Sequence, residues 1–170
     1  YIYDAGNENI ILKTSNIPVS NIAALDIFRA SELNAAEQTY CRANPIRLKL
    51  SGLDRNTLSV TTSVGCSKYR AYLYTKPTGL SVSVGVKINT SSAPTLTKTV
   101  VAGKWQLIVW DISIPDDIKG QVNRLELNLD TQNGIVAFAV LAPESSMFEA
   151  YSYYIDGNIF CTIDQSGLIT

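Results

Sequence analysis

The chain has 170 residues, 46% hydrophobic and 17% charged, with a formal net charge of −1, a pI near 5.4 and no histidine. That is enough chain for one domain with a full core, too little for two comfortable ones, and far from the composition of a disordered segment. No lysine or arginine cluster is long enough to neutralise a phosphate backbone, and no apolar run approaches the roughly eighteen residues that span a bilayer, so neither nucleic acid nor membrane insertion is expected.

The N-terminal stretch YIYDAGNENI has neither the basic start nor the apolar run of a signal peptide, and it begins without Met, so we read the chain as a mature product or as a piece cut from something larger. Residues 21–40, NIAALDIFRASELNAAEQTY, combine good helix formers with apolar positions at Ile22, Leu25, Phe28 and Leu33, which predicts one short helical insertion there. Beyond residue 45 the pattern has period two. NPIRLKLSG puts Ile46, Leu48 and Leu50 on one face; GLSVSVGVKI puts Leu80, Val82, Val84, Val86 and Ile88 on one face; VNRLELNLD puts Leu125, Leu127 and Leu129 inside. Further strands are predicted near 57–64, 69–75, 96–101, 104–114, 135–142, 150–156 and 158–163. The turns KPTG, IPDD, TQNG and IDGN supply the Pro, Asn, Asp and Gly that tight connections need. Eight or more strands with one helical insertion give an all-β expectation: an antiparallel β-sandwich, most simply a jelly roll, over residues 1–163, with 164–170 a connector to a further domain.

Without histidine, neither a Ser-His-Asp nor a Cys-His arrangement can be built. Glycosidases need only two carboxylates, but Glu126 and Asp130 share a strand face while Asp116 and Asp117 sit in a turn, so the acids do not form a catalytic pair and we expect no enzyme. Cys41, Cys66 and Cys161 lack metal-ligand spacing; they read as buried small residues, or as one disulfide with a free thiol.

Alternation along KYRAYLYTKP separates Tyr69, Ala71 and Leu73 from Arg70, Tyr72, Tyr74 and Lys76. The first set reads as core. The second faces out or into a groove, where two Tyr rings flanked by Arg and Lys offer the flat apolar platforms and edge donors that a pyranose ring needs, or else cover their strand neighbours. In KWQLIVWDIS, Trp105, Leu107 and Val109 alternate with Ile108, Trp110 and Ile112, so this strand is expected to be covered on both sides, with Trp110 the candidate for a groove.

GKWQLIVWDIS, followed by RLELNLD and YYIDGNIF, resembles the jelly-roll carbohydrate-binding modules of the galactose-binding-like superfamily, with their Gly-x-Trp strand and closing aromatic-Ile-Asp strand; KYRAYLYTKPTGLSVSVGVKI fits the same plan. The resemblance covers about residues 57–163. It implies a non-catalytic domain recognising poly- or oligosaccharide, with Arg70, Tyr72, Tyr74, Lys76, Trp110, Glu126 and Asn128 as ligand-binding residues. It also implies a structural calcium, for which Asp156 matches the family position and Asp4, Asn7 and Glu8 are the partners; oxygen-rich ligation of this kind suits calcium. The tail GNIFCTIDQSGLIT resembles the short connectors that follow domains in phage and viral fibres, which implies instead a structural, assembly or host-attachment domain of an oligomeric fibre-like protein. Either setting is extracellular or surface-exposed. The triplet Asn89–Thr90–Ser91 is an N-glycosylation acceptor sequence.

Overall fold

The computed structural model describes residues 2–3, 10–26, 57–129, 134–153, 159–167 and 169–170. Among them are thirteen strands: β1 (Ile2–Tyr3), β2 (Ile10–Thr14), β3 (Ala23–Asp26), β4 (Thr57–Thr61), β5 (Lys68–Pro77), β6 (Ser81–Ile88), β7 (Ser91–Ser92), β8 (Leu96–Thr99), β9 (Gln106–Ser113), β10 (Arg124–Leu129), β11 (Gly134–Pro143), β12 (Phe148–Tyr153) and β13 (Ile159–Asp164). A 3₁₀ turn, Val19–Asn21, is the helical element of the described residues.

Two sheets form the sandwich. One runs β3-β11-β5-β9; the other runs β4-β10-β6, with β7 and β8 both on the free edge of β6. All pairings are antiparallel. Apart from the β6–β8 hairpin, consecutive strands from β3 to β11 alternate between the sheets, which is the strand order of an eight-stranded jelly roll. The first core lies between them: Leu58, Val60, Val82, Val84, Val86, Leu125, Leu127 and Leu129 from one sheet meet Tyr69, Ala71, Leu73, Ile108, Trp110, Ile112, Ala139 and Leu141 from the other.

A third sheet, β1-β2-β12-β13, covers the outer face of β3-β11-β5-β9. Leu12, Phe148, Ala150, Cys161 and Ile163 pack there against Tyr72, Val140 and Ala142, making a second core. The central sheet is therefore covered on both faces around Ala71–Leu73 of β5 and Ala139–Ala142 of β11. Its sequence shows why: GIVAFAVLAP of β11 has no charged residue at either parity, as a strand covered on both sides requires.

The periodicity located β4, β5, β6, β8, β9, β10, β11, β12 and β13 to within a few residues. The predicted helical insertion is corrected where it is described: 21–26 closes the 3₁₀ turn and enters β3, whose pairing with β11 overrides the helix propensity of AALD. Residues 27–40 and the predicted strand at 46–50 lie outside the described residues. Leu80 is also corrected, since it precedes β6 and is 74% exposed, while Val82, Val84, Val86 and Ile88 are buried as alternation requires.

The predicted connector folds back on the domain. Asp164 Oδ1 accepts from the N–H and hydroxyl of Ser166, at 2.8 and 2.5 Å. Gly167 turns the chain with φ near +84°, a conformation a side chain would strain. Thr170 then exchanges both main-chain hydrogen bonds with Thr162 of β13, at 2.9 and 3.1 Å.

Candidate functional site

The outer face of β5 carries the residues singled out for ligand binding, and the third sheet decides what each one does. Tyr72 is corrected: it is 3% exposed, packs edge-on against Phe148 with ring centroids 5.2 Å apart, and donates its hydroxyl to the Gln165 carbonyl at 3.0 Å. A ring buried to this extent, with its hydroxyl committed, presents no platform to solvent. Burial pushes its phenol pKa up, against the opposing pull of the Arg70 guanidinium.

Arg70 sits at the edge of this layer, cross-strand from Asp111, and its Nε meets Asp111 Oδ1 at 2.9 Å while Nη2 meets Glu144 Oε1 at 3.0 Å. The hydrogen bond to Asp111 is the main reason its pKa is raised. Two carboxylates already occupy the fork.

Trp110 is corrected as well. It is 3% exposed in the first core, between the two sandwich sheets, with an indole N–H that has no hydrogen-bond partner. Glu126 and Asn128 lie on the outward face of β10, in the opposite sheet of the sandwich. Glu126 is held by Arg124 at 2.7 Å, and Asn128 Oδ1 accepts from Thr57 Oγ1 at 2.6 Å. The two packed sheets, about 10 Å apart, separate them from β5, so the seven expected residues do not converge on one site.

What remains open is the far end of β5, where Tyr74 and Lys76 are half-buried. Here Tyr74 stacks on Trp105, centroids 5.2 Å apart with 29° between planes. Trp105, the ring that the sequence had left to the core, sits one residue ahead of β9 and is half-buried at the margin of the second core. Its approach is fixed locally. Gly103 adopts φ near +73° and donates its N–H to the Pro77 carbonyl at 2.7 Å. The Gln106 amide donates to the carbonyls of Val101 (2.7 Å) and Lys104 (3.2 Å), and its oxygen accepts from Val101 N at 3.3 Å. The loop is thereby pinned, and with it the position of Trp105 against Tyr74. Exposed Lys104, Leu80 and Val101 surround this end of the sandwich. In the sequence, the Gly-Lys pair before Trp105 was the signal that this ring belongs to a strand end.

The calcium set, Asp4, Asn7, Glu8 and Asp156, lies outside the described residues. The strands that flank it are described. Tyr3 pairs with Ile10, Ala150 with Leu12 and Tyr153 with Ile159, so the connections holding these four residues all leave one end of the third sheet. Among the described residues there is no cluster of three His, Cys, Asp or Glu side chains able to hold a metal, and no helix is long and apolar enough to cross a membrane. Asn89 of the glycosylation triplet is engaged: its amide donates to Asn123 Oδ1 and its oxygen accepts from Arg124 N, each at 2.9 Å.

No protein-family model and no curated protein matches the chain. Among solved structures it is similar to the dimeric latent PorU of Porphyromonas gingivalis, at 9% identity and a TM-score of 0.32 over 85% of this chain. The chain spans 15% of that protein's length, and a likeness at this level informs neither fold nor function.

Proposed function

We propose that this domain is a non-catalytic carbohydrate-binding module of an extracellular or surface-exposed protein, and that it holds sugar at the Tyr74–Trp105 pair. The observation that carries this reading is the stacked, half-exposed pair itself, pinned by Gln106 and Gly103. A pyranose offers one apolar C–H face, which a Trp or Tyr ring covers at little entropic cost, and hydroxyls that need charged or amide partners. Exposed Lys104 supplies a donor at the rim. Such a solvated site binds modestly, and repeated copies in a larger protein supply avidity. A calcium held by Asp4, Asn7, Glu8 and Asp156 belongs to the same proposal, supported by the shared sheet end from which their connections leave. It would be a structural ion, clamping the two connections that bound the third sheet.

A glycan array probed with calcium and again with chelator tests both parts. A defined set of hits that Trp105→Ala abolishes supports the platform. A blank array from folded protein overturns it. Loss of those hits in chelator supports the ion, and identical hits with and without chelator count against it.

One observation favours a second reading, an assembly or host-attachment domain of a fibre-like oligomer. Ile114 donates its N–H to Ser67 across the β5–β9 ladder at 2.8 Å, so by alternation Leu107, Val109 and Asp111 turn their main-chain groups outward along an edge that no described strand pairs. A stable oligomer in sedimentation together with a blank array selects that reading.

A further inference from the structure

Among the described strands, the free edges are short or capped except at β9. β1 and β7 have two residues each, β3 and β8 four, and β4 five. β13 is closed by the returning tail, through the Thr162–Thr170 hydrogen bonds and a bridge between Ile163 and Ile169. β9 has eight residues, QLIVWDIS, paired with β5 in unbroken register. It carries no bulge, proline or lysine, the devices by which proteins blunt an edge against other chains.

The outward main-chain groups of Leu107, Val109 and Asp111 fit an extended chain laid alongside. The side chains suit one too. Leu107 and Val109 are half-buried at the margin of the second core, so a strand beside them covers what is left of their surface and continues that core. Asp111 brings no uncompensated charge to the edge, because the Arg70 guanidinium holds it at 2.9 Å.

We propose that the occupant of this edge is β9 of a second copy of the chain, antiparallel about a two-fold axis through Val109. The proposal rests on the assembly reading above and names its partner. In this register Val109 faces its own equivalent, Leu107 faces Asp111 of the partner subunit, and the two Asp111 carboxylates stay apart. Each facing pair exchanges two main-chain hydrogen bonds, about six in all. Self-pairing is favoured because it satisfies both long open rows at once and leaves no edge for a third chain, whereas a lone foreign strand would keep its own far edge open. The result is a closed two-fold dimer in which two β3-β11-β5-β9 sheets become one continuous sheet.

Sedimentation velocity over a concentration series tests it, and the wild type is expected to be a dimer. Val109→Lys sets two ammonium groups face to face across the axis, and Val109→Glu two carboxylates. Like charges directly opposite destabilise a ladder, so each variant alone should sediment as a monomer where the wild type is dimeric, and an equimolar mixture of the two should restore the dimer. Restoration also shows that both variants fold. A monomeric wild type overturns this proposal and the assembly reading together. An oligomer that persists in both variants overturns the β9 pairing and leaves the assembly reading standing. A mixture of folded variants that stays monomeric overturns the register. A second measurement needs no variant: amide exchange of the wild type at high and low concentration. The amides of Leu107, Val109 and Asp111 should be protected in the dimer and lose that protection on dilution, while those of Ile108 and Trp110, bonded to β5, keep theirs. Equal exchange of the outward amides at both concentrations overturns the pairing.

Discussion

The hydroxyl of Tyr72 donates to the main-chain carbonyl of Gln165, 93 positions further along the chain, at 3.0 Å. Gln165 also accepts from Phe148 N through its side-chain oxygen at 3.2 Å, so one residue of the terminal turn ties the central sheet to β12. Tyr72→Phe removes the first bond and strands the carbonyl, which should cost about 1 kcal/mol. Tyr72→Ala should cost about 3–5 kcal/mol by opening a cavity beneath the third sheet. Urea unfolding checks both. Glycan binding by Tyr72→Phe should equal that of the wild type, since this ring is not the platform.

The two tryptophans should separate cleanly. Trp110→Ala empties a site in the first core and should destabilise by about 3–5 kcal/mol. Trp105→Ala should cost stability far less and should remove glycan recognition. Thermal melts beside array binding measure the two effects on each variant, and the reverse pattern would return Trp110 to the binding role.

Glu126→Gln and Asn128→Ala should leave glycan binding unchanged, because both side chains face away from β5 on the other sheet of the sandwich. Loss of array hits in either variant would move the site to the open face of β4-β10-β6.

Gly167→Ala should destabilise the domain by about 1 kcal/mol or more. The residue holds φ near +84°, and an added Cβ would stand 3.3 Å from Leu107 Cδ2. The shift in Tm measures it, at about 2–4 °C per kcal/mol for a chain of this size.

Alkaline stability should report the two buried phenols. Burial raises the pKa of Tyr69 and of Tyr72 above the ordinary value near 10. Below that value both states are protonated and the folded chain keeps its full stability. Above it the unfolded chain loses protons first, so stability falls as pH rises, by at most about 1.4 kcal/mol per unit for each group. Tyr69→Phe should make the decline shallower, measured as urea midpoints from pH 9 upward.

The strands were legible in the sequence because alternation is a local property, and β6 and β10 display it plainly. What alternation separates is the two faces of a strand; it does not say whether a face meets water or another layer. On β5, Tyr72 and Arg70 share a parity, and only the third sheet makes the first a core residue and leaves the second at a rim. A clue was present in β11, whose uniformly apolar GIVAFAVLAP demands cover on both sides, and which is the neighbour of β5. The short strands β2 and β3 escaped for a different reason. IILKT has too few residues to show a period, and AALD is built of helix formers held extended by pairing with β11. For the residues of the candidate site, parity put Tyr74 on the outer face of β5, where it is half-buried, and offered Trp110 for a groove, whereas Trp110 is buried in the first core and it is Trp105 that stacks on Tyr74; Trp105 precedes its strand, and a pinned loop, rather than the strand, sets its position.

The third sheet also fixes an order of events during biosynthesis. Thr14, which ends β2, donates its hydroxyl to the Met147 carbonyl across 133 positions, and β2 has no partner in the sandwich until β12 exists. A nascent chain can therefore complete its jelly roll while Tyr72, Val140 and Ala142 still face solvent, and β1 and β2, paired only with each other, must wait for β12 before they join the third sheet. Pulse-labelled amide exchange should show β5 and β10 protected before β2 and β13. Over that interval the half-finished protein presents an apolar sheet face to its surroundings, and the demand for a chaperone would be greatest then.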